Sequence, residues 1–166
     1  MSEGSAGGQD SRRAKEPRTP GERDAAGADT YDLYQRGLDL LGRGSAAAAA
    51  QLLERAAAAE PQSRSVLEAL ARAQFDAGHY AAAAGNFRRI VEASPSDDYA
   101  QFGLGLSLAR TGDPSAAAEH LALAAAMAPD RRHYADALRS VRATLRARTR
   151  APDENAENSE RPGSDA

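Results

Sequence analysis

Three histidines, His79, His120 and His133, are the side chains of this chain best suited to moving a proton or holding a metal ion, and they are poorly arranged for either. No two stand at the four-residue interval that puts ligands on one helical face, and no acid completes a metal-binding helix motif around them. There is no cysteine, which removes thiolate metal sites, disulfides and a sulfur nucleophile together. Gly103, Leu104 and Gly105 have the look of a phosphate loop but lack the following Lys-Ser/Thr and follow no strand pattern, so close helix packing explains them better. We therefore expect no catalytic residue, no metal, no cofactor and no small-molecule substrate.

Arginine offers a second kind of chemistry. Residues 130 to 150 carry seven arginines against two aspartates, with Arg139, Arg142, Arg146 and Arg150 along one helical stripe. A phosphate backbone could meet such a stripe, yet residues 29 to 129 hold twelve acids and eight bases and the whole chain is at −3. Nucleic acid is accordingly disfavoured. Arginine stems covering apolar surface, and cations near a helix C-terminus, account for the stripe.

The elements that would position any site announce themselves by a period. Pro61, Pro95 and Pro129 stand 34 residues apart, and so do Gly44, Gly78 and Gly112. The same interval links Ala49, Ala83 and Ala117, then Leu53, Phe87 and Leu121, then Ala56, Ile90 and Ala124, and also Gly37, Ala71 and Gly105. A fixed period of this length with helical patterning inside it is the signature of a solenoid of helix-turn-helix units. Glycine suits the turn, small residues let two helices approach, the large apolar column fills the gap, and proline closes the unit.

These columns resemble the tetratricopeptide repeat family in length and in the order of small, large and proline positions. The resemblance covers residues 30 to 131 plus a trailing helix. It is weaker in the first helix of each unit, where Arg36, Gln74 and Gln101 depart from the family pattern. It implies an all-α fold, a right-handed solenoid of three repeats at about 30–63, 64–97 and 98–131. A seventh, capping helix at about 131–148 would carry Tyr134, Leu138, Val141 and Leu145 on its inner stripe. Cap chemistry places helix starts at Asp29 or Thr30, Ser45, Ser63, Ser96 and Asp113-Pro114, while the fourth start, near Gly78 to Tyr80, has no strong signal.

Residues 1–28 and 150–166 are rich in Gly, Ser, Pro and charge and read as disordered tails around a repeat domain at 29–149. Abundant alanine, and one lysine against twenty arginines, suggest a bacterial genome of high GC content. Without an apolar signal core or a run long enough to span a bilayer, the expectation is a cytoplasmic protein with no membrane contact.

In the resembled family the first helix of each unit lines a concave groove. Carried over, that implies a groove of Tyr31, Tyr34, Leu38 and Leu41, then Ser65, Glu68, Arg72, Phe75 and Asp76, then Tyr99, Phe102, Leu106 and Arg110. Some family members grip an acidic C-terminus with a cationic clamp. The matching positions here, Tyr34, Leu38, Ala69, Tyr99 and Gly103, supply no cation. The resemblance thus implies a non-catalytic adaptor that binds an apolar or amphipathic segment of another protein, with self-assembly as the alternative reading.

Overall fold

Backbone in the left-handed region at Gly44, Gly78 and Gly112, with φ of 77°, 83° and 94°, ends three helices and reverses the chain. At each, the glycine N–H bonds back three residues and the next N–H bonds back five, as in Gly78 to Phe75 O at 3.0 Å and His79 to Gln74 O at 2.8 Å. The orphan carbonyls of the helix end are satisfied by this double closure.

A computed structural model describes residues 20–159, with side chains from 27 to 150, as seven helices and, among the described residues, no strand. They are α1 (Pro20–Gly42), α2 (Ala46–Ala59), α3 (Arg64–Asp76), α4 (Tyr80–Ala93), α5 (Asp98–Thr111), α6 (Pro114–Met127) and α7 (Arg132–Ser159). Each helix packs chiefly on its predecessor and successor, and α1, α3 and α5 also touch in sequence. The chain is thus three helical hairpins stacked side by side and closed by α7. No helix among the described residues is long and apolar enough to cross a membrane.

The repeating columns form the core. Ala49, Ala83 and Ala117 are fully buried, as are Leu53, Ala56, Leu121 and Ala124, with Phe87 and Ile90 nearly so. Packing within a hairpin is tight at the small column: a Cβ on Gly37 would lie 2.6 Å from Leu53 Cγ, and one on Gly105 2.7 Å from Leu121 Cγ. Buried Gln74 and Gln101 are satisfied, Gln74 by Asn86 at 2.8 Å and Gln101 by the Pro95 carbonyl at 2.9 Å. No buried side-chain N or O among the described residues lacks a partner.

Gln101 also faces His120, whose Nδ1 lies 2.7 Å from Gln101 Oε1. Because the amide NH₂ already donates to Pro95, the ring must carry its proton on Nδ1. Burial holds the His120 pKa below the ordinary histidine value. The unfolded chain therefore binds a proton that the folded one refuses, and stability is expected to fall as pH drops below about 6.5. His120→Gln should flatten that slope in urea melts taken between pH 7.5 and 5.5, the effect being modest because the ring is only partly covered.

Adjacent hairpins are stitched at the starts of their first helices. Arg64 Nε donates to Asp97 Oδ2 at 2.8 Å, and one unit later Arg131 meets Asp98 at 3.4 Å. The two pairs occupy equivalent places with reversed polarity. Asp97 also caps α5, accepting from Ala100 N at 3.0 Å, so the cap stands one residue beyond the predicted Ser96. The 34-residue step from Ser63, which precedes α3 as expected, points to 97 as well. Asp113 caps α6 with Pro114 in the first turn, accepting from Ala116 N at 3.0 Å, and the unclear fourth start falls at His79.

Both outer helices run past their expected ends. The first begins at Pro20 rather than beside Asp29 or Thr30, where Thr19-Pro20-Gly21-Glu22 has the order of a helix start. The last continues beyond Arg148 to Ser159, because the next member of the glycine column is Arg146 and nothing there favours left-handed backbone. Residues 20–28 and 150–159 of the segments read as tails are helical, and residues 1–19 and 160–166 lie outside the described ones.

Candidate functional site

First helices of the hairpins present one face to a common groove, and two adjoining cavities open on it. The larger, of about 430 Å³, is bordered by Tyr34 and Leu38 from α1, Glu68 and Arg72 from α3, and Tyr99 from α5. The smaller, of about 180 Å³, is bordered by Arg72 and Phe75, then Tyr99, Phe102 and Leu106. Twelve of the thirteen residues expected in the groove border one of these two cavities or a third recess, which Tyr31, 62% exposed, lines with Tyr34.

Arg110 is placed differently. Its guanidinium lies 5.9 Å from the centre of the Phe75 ring and 5.3 Å from that of Tyr80, and donates to Tyr80 Oη at 3.1 Å. A cation on two aromatic faces, with a hydrogen bond to one of them, clamps α5 to the α3–α4 hairpin. It stiffens the groove wall, with one donor spent on Tyr80.

Phe102 is shared between groove and cap. Its ring stacks on Tyr134 with centroids 4.2 Å apart and planes at 20°, while His133 approaches it edge-on at 5.2 Å. Tyr134 is fully buried, donates to Asp98 Oδ2 at 3.1 Å and accepts from Arg131 Nη1 at 2.8 Å. Burial, aided by the Asp98 carboxylate, raises the Tyr134 phenol above its ordinary pKa and keeps it a donor. The inner stripe of α7 seats as expected, with Leu138 and Val141 against the core.

Two groove residues escaped the sequence reading. Phe87, assigned to the core, is also the floor of the smaller cavity. Gly103 lets that ring pack close to the α5 backbone: a Cβ there would stand 2.4 Å from Phe87 Cζ, and the ring is only 2% exposed. A signal existed, since Phe87 is the largest of its column and Gly103 the smallest of Gln35, Ala69 and Gly103. Arg64, which borders the larger cavity, was hidden because its partner Asp97 is 33 residues away.

The groove's charges are ordered. Arg64 is taken up by Asp97 and lies 3.4 Å from Glu68. Arg72 is mostly exposed and its nearest carboxylate, Asp76, is 3.9 Å away, beyond hydrogen-bond length. Tyr99 is half-buried edge-on to Phe87 at 6.1 Å, and burial raises its pKa, so its hydroxyl keeps its proton. The three histidines lie apart, His79 before α4, His120 on α6 and His133 on α7, and no group of three or more His, Cys, Asp or Glu among the described residues could hold a metal ion.

This geometry has parallels. The first repeat domain of Spaghetti (RPAP3), bound to an HSP90 peptide of sequence SRMEEVD, superposes with a TM-score of 0.66 at 17% identity, over 71% of this chain and 94% of that one. MamA (41 to end) from Desulfovibrio magneticus RS-1 gives 0.68 at 19% identity, over 81% and 78%. The type III secretion chaperone SycD of Yersinia enterocolitica, in complex with a peptide of the translocator YopD, gives 0.62 at 13% identity, over 69% and 93%. No curated protein matches the sequence. A family model described as tetratricopeptide repeat matches residues 34–98 and 68–132, more than half of the chain. The chain belongs to the tetratricopeptide repeat family.

Proposed function

We propose that this protein is a non-catalytic interaction module that holds a segment of another protein in its concave groove. The observation that carries the reading is the pair of adjoining cavities along α1, α3 and α5, walled by half-exposed aromatic and aliphatic side chains, with Arg72 and its ion-pair partner Asp76 at their junction. Aromatic rings give large contact area for few frozen torsions and serve as binding anchors. Two of the superposed structures are described as peptide complexes, which supports the same use of the groove.

Phe102 is a poor probe of this reading, because any change there also unseats Tyr134. Tyr34 and Arg72 border the larger cavity without holding the cap. The variant carrying Tyr34→Glu and Arg72→Glu is expected to keep its helical circular dichroism and thermal midpoint and to lose the proteins captured by the wild type in a native cytosol. Unchanged capture by the folded variant would move the working surface away from the groove.

A further inference from the structure

We propose that the chain forms a two-fold dimer through α7, laid antiparallel against α7 of a second copy so that the arginines of each helix meet the acids at the far end of the other. This goes beyond the reading of the groove, and neither depends on the other.

The repeat shows which face of α7 is left uncovered. On α5, Gln101 and Gly105 are turned to α6, Gln101 facing His120 and Gly105 packing on Leu121. Their equivalents one 34-residue step later are Ala135 and Arg139, and among the described residues no helix follows α7 to cover them. Both are exposed, as are Arg142 and Arg146, which continue the same helical stripe. The groove lies on another side, where α5 presents Phe102 and Leu106.

Neither ordinary account of an arginine stripe serves here. The stems are exposed, while the apolar residues of α7, Leu138 and Val141, are already seated on the core. Because α7 runs on to Ser159, the arginines stand in mid-helix, out of reach of the C-terminal dipole. Arg142 and Arg146 each have arginine, and no acid, three or four places away, an arrangement that weakens a lone helix. Of the three, Arg139 alone is paired among the described residues, with Asp136.

The missing acids come later in the same segment. Asp153, Glu157 and Glu160 are separated by four and then three places, the mirror image of the three and four that separate Arg139, Arg142 and Arg146. Glu160 stands one place past the described residues. Within one helix the two groups do not meet, since seven residues part Arg146 from Asp153, a rise of about 10 Å, and the helical backbone through Ser159 does not fold back. A second copy turned end for end brings them together in a single register: Arg146 opposite Asp153, Arg142 opposite Glu157 and Arg139 opposite Glu160. The two-fold axis repeats every pair, and charges flanking paired helices set partner and orientation in this way. Pro152 withdraws a backbone hydrogen bond from α7 just before its acidic end, a loss that a partner helix offsets.

Sedimentation velocity on the full chain, from micromolar to millimolar concentration, tests this. The wild type should pass from monomer to dimer, with affinity falling about tenfold or more between low and high salt as the exposed charges are screened. The Arg142→Glu plus Arg146→Glu variant and the Asp153→Arg plus Glu157→Arg variant should each stay monomeric with helical circular dichroism retained. Mixed together they should dimerise again, because an all-acidic helix then faces an all-basic one. A wild type that is monomeric throughout, dimers that survive in either variant alone, or a mixture of the two folded variants that fails to pair would each overturn the proposal and leave the groove reading standing.

Discussion

Tyr134→Ala will lower the unfolding free energy by about 3–5 kcal/mol, the range for deleting a fully buried aromatic side chain. Three things go at once: the stack on Phe102 at 4.2 Å, the hydrogen bond to Asp98 and the anchor of Arg131. Tyr134→Phe keeps the ring and removes only the hydroxyl, so its cost should be about 1–3 kcal/mol, that of breaking a buried hydrogen bond to a charged partner. Urea denaturation of the two variants separates packing from polarity. Equal losses would mean that the hydroxyl network, and not the stacked ring, seats the cap. Amide exchange should show where the damage falls. In a stacked array each unit leans on its neighbours, so α6 and α7 should lose protection well before α2 and α3.

Within a hairpin the largest effect is expected at Leu121, which fills the gap between α5 and α6 with no exposure at all. Leu121→Ala should cost about 2–5 kcal/mol through lost burial and the cavity left behind. Gly105→Ala tests the same gap from the other side. Alanine is favoured over glycine inside a helix by roughly 0.5–1 kcal/mol, yet its methyl would stand 2.7 Å from Leu121 Cγ and 3.1 Å from the Ala117 carbonyl oxygen. Overpacking of that kind costs about 1–3 kcal/mol, so the clash wins. Combined, the two changes should cost less than their sum, because the new methyl enters space that the leucine has vacated. Strict additivity in the denaturation midpoints would show that the two side chains do not share that space.

Why the fold was legible and the site only partly so comes down to what repeats. Ala83, Phe87 and Ile90 sit in columns whose members face identical environments, so the sequence states the same packing solution three times. Turn glycines repeat for the same reason. The groove has no such redundancy. Tyr34, Arg72 and Tyr99 could be placed on a face by helical spacing, but their contacts depend on how neighbouring hairpins are rotated. Arg110 shows the consequence: helical spacing puts it on the groove face, whereas the rings of Phe75 and Tyr80 that hold its guanidinium lie 35 and 30 positions earlier. Phe87 reads as core from its column of large residues, and the structure buries it there, its ring packed on the Gly103 backbone. The ends of α1 and α7 were misjudged from composition, which weighs glycine, serine and charge over several residues and overlooks a local helix start at Pro20.

The reversed ion pairs between hairpins, Arg64 with Asp97 and Asp98 with Arg131, bear on how such a chain can change over generations. Both partners of each pair lie within one 34-residue stretch, 64–97 or 98–131, although the contact they make joins successive hairpins. A gene segment of that length therefore inherits the complete stitch. One unit can be duplicated, deleted or flipped in sign without a compensating change in the next, and the array can lengthen by copying while its charges still match.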